Sequence, residues 1–142
     1  MQDLHNIIHA VVAIIPQTQT NADTAITGEI VDTNGFDAVE FVIATGTLTD
    51  ADATFATTLE QGDDAALADT TAVVNADLIG TLAAAGFTFA DDKKTKKLGY
   101  APRTGVRKRY LRLTVTPTGN NSGAAPIAAV CIMSKARTNP TT

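Results

Sequence analysis

Residues 107–116 read RKRYLRLTVT, and their alternation decides the class of fold. Leu111, Leu113 and Val115 occupy one set of positions, and Tyr110, Arg112 and Thr114 the other. A side-chain period of two places successive residues on opposite faces of a strand, here one apolar and one polar. Working outward, residues 54–60 repeat the pattern, with Phe55, Thr57 and Leu59 on the inward side. Residues 38–45 (AVEFVIAT) do so again: Val39, Phe41 and Ile43 face one way, Glu40 and Val42 the other.

The remaining segments are shorter or less regular. The apolar run 7–15 (IIHAVVAII), ended by Pro16, reads as a strand buried on both faces, with residues 17–23 as a turn. It has no positive residue before it, so a secretory signal is the poorer reading. Residues 26–31 (ITGEIV) alternate loosely, with Ile26, Gly28 and Ile30 sharing a face. Asn34-Gly35 between this run and the next predicts a tight turn and a β-hairpin. Residues 65–68 suggest a short helical turn capped by Asp63 or Asp64, and a short strand is expected near 78–82. Phe87-Thr88-Phe89 reads as a brief strand with both rings on one face, and 91–94 as a charged turn. A strand at 95–100, a loop at 101–105, a turn-rich loop at 117–126 and a buried strand at 128–133 complete the chain; 138–142 reads as a loose tail. Eight or nine short strands with no strong helix predict an all-β protein. The expected architecture is a single antiparallel β-sandwich domain over 1–142, in the form of a jelly roll of about eight strands.

Composition agrees. The chain has 142 residues, 44% hydrophobic and 18% charged, which excludes general disorder. No run of 18 apolar residues is present to form a membrane-spanning helix. Trp is absent and aromatic residues make up 5%, too few for sugar-stacking or base-stacking platforms.

Chemical motifs are sparse. His5 and His9 share a face at a spacing of four, but no third ligand follows, so no metal is expected. Asp50-Ala51-Asp52 and Asp63-Asp64 lack the glycine and closing glutamate of a calcium loop and read as solvated turns. Neither serine, Ser122 or Ser134, lies in a nucleophile elbow, and Walker and Rossmann spacings are missing. Cys131 lies in an apolar run and reads as a small buried hydrophobe. No enzyme activity and no cofactor are expected.

Charge is segregated. All 15 acids lie within residues 3–92 and all 11 bases within 93–137, so −15 and +11 give the net −4. Three readings remain open: a nucleic-acid arm, complementary docking surfaces, or strands from the two halves interleaving so that charges neutralise locally. The acidic total opposes general DNA binding. The candidate contact residues are Lys93, Lys94, Lys96 and Lys97, then Arg107, Lys108, Arg109 and Arg112.

Two stretches, TGEIVDTNGFDAVEFVIATGTLTDADATFATTLEQGD (27–63) and FTFADDKKTKKLGYAPRTGVRKRYLRLTVTPTGNNSG (87–123), carry a family likeness. With the opening DLHN and its apolar run, the chain resembles the small proteins encoded beside the major capsid gene of tailed phages. At least one protein of that type is a capsid cement, or decoration, protein. The resemblance implies a jelly roll made in the host cytoplasm and clipped to the outer surface of the virion. Its partners would be the major capsid protein and further copies of itself, a dimer rather than a trimer, with no direct contact to nucleic acid or membrane. The matching residues are fold-defining, so no functional residue carries over. A tail or head–tail joining subunit, and a receptor-binding or carbohydrate-binding sandwich, are the alternatives.

Overall fold

A computed structural model describes residues 3–137. The expected tail at 138–142 lies outside the described residues. The strands are β1 (Ile8–Thr20), β2 (Ile26–Asp32), β3 (Phe36–Thr45), β4 (Thr54–Gly62) and β5 (Thr71–Ala72). After them come β6 (Leu78–Ile79), the single-turn helix α1 (Leu82–Ala85), β7 (Phe87–Thr88), β8 (Thr95–Tyr100), β9 (Tyr110–Thr118) and β10 (Ala124–Ala136).

They form two antiparallel sheets. One has the order β1-β10-β3-β8-β6, the other β2-β9-β4-β5, with β7 also paired to β4. First and last strands pair, then second and second-last: β1 with β10, β2 with β9, β3 with β8, β4 with β5. That nested pairing is the winding of a jelly roll, as the sequence predicts. The described residues form ten strands where eight or nine were expected; β6 and β7 are the short strands anticipated near 78–82 and 87–89, each only two residues long, and β5 is the addition.

The inward faces of both sheets meet in one core. Phe41 and Ile43 of β3, Leu98 of β8 and Cys131 of β10 pack against Leu59 of β4 and Leu111, Leu113 and Val115 of β9. The three alternating strands keep the predicted faces. Burial drives the Cys131 thiol up to about 12, so it stays protonated and inert at neutral pH.

Several local expectations are corrected. β1 is not buried on both faces: it is an edge strand, and only Ala13 and Ile14 are buried in it. It also continues past Pro16 to Thr20. Its pairing with β10 shifts register between Ile14 and Gln17, and proline is tolerated at such an edge irregularity because no ladder donor is needed there.

The Asn34-Gly35 turn forms, but the hairpin does not. β2 lies in one sheet and β3 in the other, so the turn carries the chain between layers. The amide of Phe36 donates to the carbonyl of Thr33, and only Gly35 has positive φ, at 88°. A hairpin turn of the Asn-Gly kind would need positive φ at both central residues to match the strand twist.

In β2 the register shifts between Thr27 and Ile30. Ile26 and Val31 are therefore the buried residues, while Ile30 is exposed. Residues 65–68 form turns, not a helix; the Asp64 carboxylate accepts from the amides of Ala66 and Ala68. Phe87 is buried and stacks on Phe55, whereas Phe89 begins a 3₁₀ turn and is exposed. β9 begins at Tyr110, leaving Arg107 to Arg109 in the preceding loop, and it extends through Pro117. β2 pairs with β9 only as far as Val115, so Pro117 lies where β9 has one neighbour and a missing donor is tolerated.

Candidate functional site

The eight basic candidates do not form one patch. Lys93 and Lys94 lie at the turn before β8 and Arg107 to Arg109 in the loop after it, so the six residues of that strand, roughly 20 Å, separate the two groups. Lys97 projects from the outer face of the β1-containing sheet, on the opposite side of β8 from buried Leu98. Arg112 projects from the outer face of the other sheet.

The first group is pinned. Lys93 adopts positive φ, at 52°, and its amide donates to the Gly46 carbonyl. The Thr45 hydroxyl donates to the Asp91 carbonyl at 2.6 Å and accepts from the Lys94 amide. Lys94 and Lys96 both reach one Asp91 oxygen, at 3.4 and 3.1 Å.

The second group surrounds a depression of about 150 Å³ lined by the 33–36 turn, Asp63 and Arg137. Arg109 grips Asp32 through two bonds, Nε to Oδ1 at 2.9 Å and Nη2 to Oδ2 at 2.7 Å. Lys108 Nζ meets Asp63 at 2.6 Å, and Arg137 meets Asp37 at 3.3 Å. Arg107 lies over the Tyr100 ring and donates from Nη1 to the Asp37 carbonyl. The bond from Arg109 holds Asp32 below the usual carboxylate range, and the Asp63 partner raises Lys108. Arg112 pairs with Glu60, directly opposite it across β4 and β9.

These pairs explain what becomes of the charge segregation. Nested pairing sets the basic late strands beside the acidic early ones, so charges distant in sequence neutralise locally. Lys93, Lys97, Arg103, Arg107 and Lys135 form no ion pair among the described residues. Lys97 is the near cation to Glu40, whose carboxyl is raised by burial and partly drawn back by that lysine.

Sequence reasoning missed a set of aspartates that tie distant loops together. Asp77 is 4% exposed and accepts from the Arg103 amide at 2.6 Å, the Thr104 amide at 2.7 Å and the Thr104 hydroxyl at 2.6 Å. Asp50, read as a solvated turn, is buried and accepts from the Ser122 amide and hydroxyl and from the Asp52 amide. Asp69 accepts from the amides of Asp63 and Asp64, and Asp23 from those of Gly119 and Asn120. The visible signal for Asp77 was a lone acid among apolar residues in VVNADLI (73–79).

These contacts make stability acid-sensitive. The Thr104 hydroxyl and amides lower Asp77, the Ser122 amide lowers Asp50, the Asp63 amide lowers Asp69 and the Thr88 amide lowers Asp91. A carboxyl depressed in the folded state stabilises above its unfolded value, near ~3.9, and loses that contribution as pH falls through the folded value. The melting temperature is expected to be nearly level between pH 7 and 5 and to fall steeply below about pH 4. A melting curve at pH 3 matching that at pH 7 would show that these carboxylates do not hold the loops.

Among the described residues, no cluster of three or more His, Cys, Asp or Glu side chains could hold a metal ion. His9 stacks on Phe36 instead. No helix among those residues is long and apolar enough to cross a membrane.

Searches of protein-family models and of curated proteins find no match to the chain. Among solved structures, the structure of infectious bursal disease virus Gx strain is similar with a TM-score of 0.29 and 10% identity. The match covers 89% of this chain and 39% of that one, and at this distance it bears on neither family nor function.

Proposed function

We propose that this chain is a structural virion protein, a cement or decoration protein of a tailed-phage head. In this reading it binds the outside of the shell as a homo-oligomer, a dimer rather than a trimer, and stabilises the shell by bridging major capsid subunits. One observation carries the reading. The two stretches that bear the family resemblance, 27–63 and 87–123, fold onto each other: β2 pairs with β9, β3 with β8 and β4 with β9. A likeness divided in sequence becomes a contiguous part of one domain.

The physics of the domain suits the task. Aspartate ties and ion pairs hold its loops in place, which lowers the entropy lost on docking. A standard interface buries ~1,600 Å², and a bridging protein can use smaller contacts because neighbouring copies add avidity. Binding the assembled shell and not its free subunits stabilises the shell by mass action.

Cryo-electron microscopy of particles from the virus or prophage carrying this gene tests the proposal. Ordered density on the outer shell, in fixed ratio to the capsid subunit, is the expected result. Density confined to the neck or tail would reassign the chain to a joining or receptor-binding role, and its absence from the particle would sink the virion reading altogether.

A further inference from the structure

Val106 is 83% exposed, the most exposed of the large apolar side chains among the described residues. A single exposed valine is ordinary. What sets this one apart is the loop that carries it, residues 101–109, which is clamped at both ends. At the near end, buried Asp77 binds the Arg103 and Thr104 amides and the Thr104 hydroxyl with its carboxylate, and its own carbonyl accepts from the Ala101 amide at 2.9 Å.

At the far end, the Lys108 amide donates to the Tyr100 hydroxyl at 3.0 Å, and that hydroxyl donates to Gln61 at 2.7 Å. Arg107 stacks on the Tyr100 ring, and the Arg109 carbonyl accepts from Thr33. Between the clamps stand Gly105 and Val106. A side chain built at Gly105 would meet nothing within 4 Å, so the tip stands clear of the domain.

These bonds order a segment that contributes nothing large to the core. Loops positioned by a rigid scaffold are where binding residues concentrate, and preorganisation reduces the entropy lost on association. Charge indicates the partner. Lys108 and Arg109 are neutralised by Asp63 and Asp32, and Arg107 is held against the domain by the Asp37 carbonyl and the Tyr100 ring, but the Arg103 side chain has neither an ion pair nor a hydrogen bond among the described residues. The loop thus offers one apolar knob and two cations without a carboxylate partner, of which Arg107 is held down on Tyr100 and Arg103 is exposed and unbound, with no aromatic ring to stack on a base.

We propose that loop 101–109 is a preorganised docking prong whose Val106 enters an apolar socket on a protein shell while Arg103 pairs with a carboxylate at the socket rim. The inference rests on the cement reading and assigns it a contact. Association steered by Arg103 is salt-sensitive, whereas the seating of Val106 governs release.

The test is co-sedimentation of the purified full-length chain with shells assembled from the major capsid protein encoded beside it. Val106→Asp places a negative charge at the tip, where it meets the acidic rim. It is expected to weaken apparent affinity at least tenfold with an unchanged melting temperature, since Val106 is 83% exposed. Arg103→Glu is expected to weaken binding most at low salt, where its repulsion from the rim carboxylate is least screened, so that added salt no longer weakens binding as it does for the wild type. Val106→Asp binding with wild-type affinity would overturn the prong alone. Wild-type protein that ignores the shells would overturn the cement reading beneath it. Retention on double-stranded DNA that Val106→Asp keeps and Arg103→Glu loses would assign the loop to nucleic acid and overturn the prong as well.

Discussion

Replacing Phe41 by alanine is expected to cost about 3–5 kcal/mol, the range for deleting a fully buried aromatic ring. Phe41 has 0% exposure and lies on β3, which is hydrogen-bonded on both sides, to β10 and to β8. Its register neighbours are Cys131 and Leu98, themselves fully buried. Two flanking strands hold the backbone in place, so the site has little room to collapse and the lost contacts are not recovered. At a domain of this size the melting temperature should fall by roughly 10–20 °C. Val42→Ala, one position along on the outer face, serves as the comparison and should change it far less. Equal losses for the two would mean that the sheet does not present the faces described.

Gly28→Ala is the second large effect, and its origin is different. A Cβ at Gly28 would lie 2.3 Å from the Ala13 carbonyl oxygen and 2.5 Å from that of Leu113. Both obstacles are backbone atoms, so no rotamer change relieves them. Gly28 lies where the β2 register shifts, and there β2 approaches β1 of the opposite sheet. The methyl group would force these edges apart, at a cost of about 3 kcal/mol or more. Gly105→Ala, in open space, should stay within about 0.5 kcal/mol of wild type. Urea unfolding of the pair measures the difference directly. A Gly28→Ala protein as stable as the wild type would show that β1 and β2 stand further apart than described.

Much of the candidate site was legible as residue types and little of it as geometry. The basic residues were visible as runs, yet their division between two ends and two faces of the sandwich was not. Nothing in Lys93 to Lys97 announces that Asp91 gathers two of its lysines, or that Lys97 turns to the outer face beside Glu40. Asp77 was passed over because its partners, Arg103 and Thr104, lie 26 and 27 positions away. A side chain that accepts backbone donors from a distant loop leaves no periodic trace.

The sequence by itself determined that 38–45, 54–60 and 110–116 are strands and which of their side chains face inward. Alternation is a property of neighbouring residues, and each such strand must bury one face whatever it pairs with. Gly35 determined a turn for the same local reason. The tertiary structure alone decided partners: that Asn34-Gly35 joins two sheets and not two strands of a hairpin, that β1 is an edge, and that Val31 displaces Ile30 from the core. Strand pairing depends on which distant backbone satisfies each amide, and a shift of one residue reverses the faces. The same long-range pairing brought the acidic first two-thirds of the chain against the basic remainder, so a charge separation conspicuous in sequence became, in the folded protein, a set of local ion pairs.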